Sequence, residues 1–91
     1  MGKLIEPTND IFTQGETGDW AFSEGETHIL ICLPPKPGID HIAALGITGR
    51  CSDDITWEWD GNKVSPTISP SILDMVTGWH GYLRGGVLVE A

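Results

Sequence analysis

The chain has 91 residues, 40% of them apolar, which is enough for one domain with one small core and too apolar for a disordered chain. Thirteen Asp and Glu stand against five Lys and Arg, a formal charge of −8, and the five cations (Lys3, Lys36, Arg50, Lys63, Arg84) are scattered. Direct binding to nucleic acid or to an anionic membrane surface needs clustered cations and is excluded on that ground; a partner with a basic surface is favoured.

Four Trp supply large areas for burial in so short a chain. The first residues hold no apolar signal segment, and the longest apolar run, 29–33, falls far short of the ~20 residues of a membrane span. With two Cys, Cys32 and Cys51, the expected setting is the cytoplasm with reduced thiols.

Residues 1–19 read as an irregular lead-in, punctuated by Pro7, Asn9, Asp10, Gly15 and Gly18 and anchored by Ile11 and Phe12. A single β-rich domain is expected over 20–91. Trp20 to Ser23 suits a short strand, and Glu24-Gly25-Glu26 a turn. Thr27 to Leu33 is the clearest strand of the first half: His28, Leu30 and Cys32 share one face, and Thr27, Ile29, Ile31 and Leu33 the other. Both faces are largely apolar, so it belongs in the middle of a sheet.

Pro34, Pro35, Pro37 and Gly38 end that strand in a loop. Residues 41–47 permit a helical turn, but their Gly-rich ending favours a strand. Ile55 to Trp59 alternates, with Ile55, Trp57 and Trp59 on one face, and the two Trp are expected in the core. Asp60-Gly61-Asn62-Lys63 signals a hairpin loop, and the return arm runs from Val64 to Leu73, with Pro66 and Pro70 marking it as an edge strand or extended ribbon. Trp79 to Leu83 and Val87 to Val89 flank Arg84-Gly85-Gly86 as a final hairpin. No stretch keeps a helical period over the ~11 residues of an average helix. The fold class is therefore mainly β: a small antiparallel sheet of hairpins, sandwich-like or a partial barrel, with little helix.

The series Trp57-Glu58-Trp59-Asp60-Gly61-Asn62, Pro66-Thr67-Ile68-Ser69-Pro70-Ser71-Ile72-Leu73 and Trp79-His80-Gly81-Tyr82-Leu83-Arg84 resembles a family of small phage and prophage proteins, some mislabelled ammonia monooxygenase. The resemblance spans about residues 28 to 89, and its most specific part is the Pro-Thr-x-Ser-Pro-Ser block. Members of that family often carry a zinc-like pattern of Cys-x-x-Cys, a nearby His and a Cys-His pair. Carried over, it implies Cys32, His41 and His80 as ligands, while Pro35 and Trp79 stand where two further Cys would be.

Zinc accepts thiolate and neutral imidazole, usually from four ligands in a structural site, and Cys51 is a further donor. His28 and Cys32 share a strand face but lie ~13 Å apart, too far for one ion. No phosphate loop, Gly-x-Ser-x-Gly elbow or His-Glu-x-x-His occurs, and Cys-His pairing is unconstrained by spacing, so an enzyme is not favoured. The Ser-Pro ribbon 65–71 reads as structural. The acidic residues fall in two clusters, one at Glu24 and Glu26 with Glu16 and Asp19, the other at Asp53, Asp54, Glu58 and Asp60. Joined in space, they would form an anionic stripe suited to a basic groove.

The leading expectation is thus a phage accessory protein that binds and inhibits a host protein, in particular a nucleic-acid-handling defence complex. Its partner-binding surface would be Glu24, Glu26, Asp53, Asp54, Glu58 and Asp60, with no cofactor. The alternatives are a small zinc domain using Cys32, His41 and His80, and a homo-oligomeric virion component.

Overall fold

The computed structural model describes residues 2–34, 42–75 and 78–91. Those residues form two antiparallel sheets. The first has three strands in the order β1 (Trp20–Phe22), β2 (His28–Cys32), β3 (Ile42–Gly46). The second has four, in the order β4 (Glu58–Trp59), β5 (Ile68–Leu73), β6 (His80–Arg84), β7 (Val87–Glu90). One short helix, Ile11–Gln14, follows a 3-10 turn at Thr8–Asp10. The architecture is mainly β, as the alternation and turn signals require, and its two sheets do not close into a barrel.

Strand β2 is central, and its two apolar faces serve two cores. Ile29, Ile31 and Leu33 join Trp20, Phe22, Leu45 and Ile47 against Ile68, Ile72 and Leu83 of the second sheet. Leu30 and Cys32, on the opposite face, pack with Ala21 and Ile42 under Ile5 and Ile11 of the lead-in. The lead-in is therefore fastened down. Ile11 is buried, but Phe12 is 62% exposed, against expectation: a single helical turn presents only one of two consecutive side chains inward. Ile5 N–H donates to Trp20 O at 2.8 Å, and Trp20 N–H to Lys3 O at 3.1 Å. Asp19, 2% exposed, ties the same segment: its carboxylate accepts from Lys3 N–H (3.0 Å), Lys3 Nζ (2.8 Å) and Glu16 N–H (2.9 Å).

The second sheet differs from the alternation pattern in two places. Strand β4 has only two residues, because Trp57 pairs instead with Ile47 in an isolated parallel bridge that links the sheets. Trp57 and Trp59 pack against the main core, while Ile55 is 71% exposed. Strand β5 is central rather than an edge, lying between β4 and β6. Pro70 is tolerated there because β4 pairs only with Ile68 and Ser69, and the register with β6 shifts between Ile68 and Ile72, so no ladder hydrogen bond is asked of its nitrogen. The β6–β7 hairpin closes through Gly85 and Gly86, whose φ values of 56° and 78° fit a tight two-residue turn.

Candidate active site

The β5–β6 hairpin brings a serine hydroxyl and an imidazole together. Leu73 faces His80 and Ile72 faces Gly81, and after the shift Ile68 faces Leu83. Ser69, Pro70 and Ser71 thus stand against Tyr82 alone, which is a bulge in β5. Ile72 and Leu83 point into the core. By alternation, Ser71, Leu73, His80 and Tyr82 take the outer face. There Ser71 Oγ lies 3.0 Å from His80 Nε2.

Ser71 is half-buried and His80 exposed. The Trp57 indole N–H donates to the Ser71 carbonyl at 3.2 Å and holds the bulged segment from the β4 side. The Tyr82 ring lies 6.5 Å from the His80 ring, and the Arg84 guanidinium sits 4.2 Å above Tyr82. Leu73, Val87 and Val89 add exposed apolar side chains to the second sheet.

A serine hydroxyl is a poor nucleophile until a base accepts its proton, and an imidazole nitrogen at hydrogen-bond distance is such a base. With the proton on Nδ1, His80 presents the Nε2 lone pair to Ser71 O–H. Among the described residues no carboxylate bonds His80, so the arrangement is a dyad.

Other residues singled out in the sequence fall elsewhere. Cys32 is buried in the small core beside the lead-in, on the first sheet, whereas His80 is on the second. Burial pushes the Cys32 thiol above its usual range; Asp19 adds to that and Lys3 opposes it. His41 lies outside the described residues. Among the described residues, metal-type donors converge at His28, Cys51 and Asp53, whose ligand atoms lie within 4.8 Å of one another.

The acidic residues have distinct partners. Glu26 accepts from Arg50 at 3.3 Å and lies 3.1 Å from Lys63 Nζ. Arg50 also covers the Trp59 ring at 5.3 Å. Asp53 contacts His28 at 2.9 Å, and Asp60 Oδ1 accepts from Asn62 N–H at 3.0 Å and Thr67 N–H at 3.3 Å, bracing the β4–β5 turn. Glu24, Asp54 and Glu58 are exposed. Arg50 and Lys63 therefore offset the charge of Glu26.

The fold and the dyad define a small two-sheet β protein with a serine–histidine pair on an open sheet face. Over residues 21–91 the chain matches the model of a family described as the bacterial ubiquitination-like system serine protease (BubE), and it belongs to that family. Comparison with curated proteins and with solved structures gave no match.

The family match overturns the expectation of a host-directed phage inhibitor with an anti-defence role. The phage setting rested on the motif resemblance, and the basic partner on net charge, a long-range property that does not identify chemistry. Ser71 is the residue that sequence reasoning passed over as part of a structural ribbon. The available signal was topological: pairing the consecutive strands β5 and β6 brings 71 beside 80–82. As to membranes, no helix among the described residues is long and apolar enough to cross one.

Proposed function

We propose that the chain is a serine peptidase of a bacterial ubiquitination-like system, with Ser71 as nucleophile and His80 as its general base. The observation that carries this is the 3.0 Å contact between Ser71 Oγ and His80 Nε2, inside the stretch matched to a serine protease family. Ser71 Oγ attacks the scissile carbonyl carbon as His80 Nε2 takes the hydroxyl proton. The tetrahedral intermediate collapses, the C–N bond breaks, and His80 returns the proton to the leaving amine. Water, deprotonated by His80, then cleaves the ester left on Ser71 and frees the hydroxyl.

Leu73, Tyr82 and Val89 support this reading by offering an apolar face on which an extended peptide can rest beside the nucleophile. The reading places the protein in the cytoplasm, where its two free thiols stay reduced.

Hydrolysis of p-nitrophenyl acetate tests the pair directly. The wild type is expected to release p-nitrophenol in a burst equal to the enzyme concentration, followed by slower turnover. Ser71→Ala should show no burst. A Ser71→Ala variant that keeps the full burst would remove Ser71 from the reaction.

A further inference from the structure

A second group of side chains, on the first sheet and the loop after it, is not used by the dyad. His28 opens β2 and pairs with Gly46 at the end of β3. Cys51 and Asp53 lie on the loop that follows β3. One ligand atom from each of the three lies within 4.8 Å of the others, and His28 Nε2 is 2.9 Å from Asp53 Oδ2. Thiolate, imidazole and carboxylate together are a donor set suited to zinc, whose bonds of ~2.0–2.3 Å set tetrahedral donor atoms roughly 3.3–3.7 Å apart.

Two further observations point the same way. The first concerns Gly46. Its backbone is not in the left-handed region, so conformation does not demand glycine there. Space does: a Cβ would stand 2.7 Å from Cys51 Sγ and 2.7 Å from Asp53 Oδ2. The missing side chain is what lets both donors come down on the strand beside His28. The second concerns the far side of the imidazole. His28 Nδ1 is 2.9 Å from Thr27 Oγ1, which is 2.9 Å from Ser23 Oγ, and Ser23 Oγ in turn accepts the His28 backbone N–H at 2.9 Å. When Nδ1–H donates to Thr27 Oγ1 and the Thr27 O–H donates to Ser23 Oγ, the Nε2 lone pair is left facing Cys51 and Asp53. Outer-shell hydrogen bonds orient metal-binding histidines in this way.

We propose that His28 Nε2, Cys51 Sγ and Asp53 Oδ2 bind a zinc ion, with water as the fourth ligand, and that the ion fastens the loop after β3 to strand β2. The site uses neither Ser71 nor His80 and stands or falls independently of the peptidase reading. The same loop leads to Trp57, whose indole holds the Ser71 carbonyl, so the ion would brace the approach to the dyad from a distance.

Cobalt(II) titration of reduced, metal-free full-length protein reads the site without depending on hydrolysis. The expected result is a near-ultraviolet thiolate-to-cobalt charge-transfer band with tetrahedral visible bands, saturating at one equivalent and bleached by one equivalent of zinc. Cys51→Ser should abolish the charge-transfer band, and Cys32→Ser should keep it. Gly46→Ala, with every donor retained, should lose most of the zinc affinity, because its Cβ would displace Cys51 Sγ and Asp53 Oδ2. No charge-transfer band in the wild type, or a band kept in Cys51→Ser and lost in Cys32→Ser, would overturn the proposal.

Discussion

Asp19→Asn tests the physical basis of the fold at its most concentrated polar contact. The carboxylate is 2% exposed and accepts two backbone N–H groups, from Lys3 and Glu16, besides the Lys3 ammonium. Hydrogen bonds to an ionised group contribute about 1.5–3 kcal/mol each, and an unsatisfied buried donor costs about 1–3 kcal/mol. Asparagine keeps one acceptor at neutral strength and turns an NH2 toward a second donor, so a net loss of about 2–3 kcal/mol is expected; the exposed Lys3 ammonium adds little. In a domain of this size that is a fall in Tm of roughly 10–20 °C. Urea or thermal unfolding at neutral pH measures it. Burial alone would raise the Asp19 pKa, but the bonds from the Lys3 ammonium and from the two N–H groups outweigh it and hold the carboxyl below its ordinary 3.8. A depressed native pKa adds stability that is complete above the unfolded value and is lost as pH falls through the native one. The gap between wild type and variant should therefore hold down to about pH 5 and narrow toward about pH 2. A gap below ~0.5 kcal/mol at neutral pH, or one unchanged at about pH 2, would refute the reasoning.

Three further outcomes are expected. His80→Gln should lower the p-nitrophenyl acetate burst rate by about 10²–10⁴-fold, with stability within ~0.5 kcal/mol of wild type because His80 is exposed; stopped-flow and urea unfolding separate the two effects. Trp57→Phe removes the indole bond to the Ser71 carbonyl and should cost about 0.5–1.5 kcal/mol in unfolding free energy. Gly81→Ala would set a Cβ against Val89 O and 2.6 Å from the Trp79 ring, between His80 and Tyr82. It should destabilise by at least ~1–3 kcal/mol and suppress hydrolysis together, checked by unfolding and burst amplitude on the same sample.

The sequence carries local features of the fold better than long-range ones. The two apolar faces of 28–32 make β2 central, and Gly85-Gly86 marks the last hairpin; both follow from side-chain period and turn chemistry within a few residues. The short β4 does not follow from its alternation, because Trp57 is drawn to Ile47 across a parallel bridge that no local pattern encodes. The site is hidden for a related reason. His80 stands out as a chemistry-bearing residue, but its neighbour depends on the bulge at 69–71, and a shift of one residue there would turn Ser71 to the opposite face. The His28, Cys51 and Asp53 group is likewise assembled by the pairing of β2 with β3 and by a small residue at Gly46, so spacing along the chain gives no sign of it.

The claim that Ser71 is an activated nucleophile is tested most directly by a fluorophosphonate probe. Intact-mass measurement should show one adduct per chain, and peptide mapping should put it on Ser71, opposite the His80 imidazole at 3.0 Å. The label should be lost in Ser71→Ala and strongly slowed in His80→Gln. An unlabelled wild type, or an adduct on Ser23, Ser52, Ser65 or Ser69 instead, would contradict it.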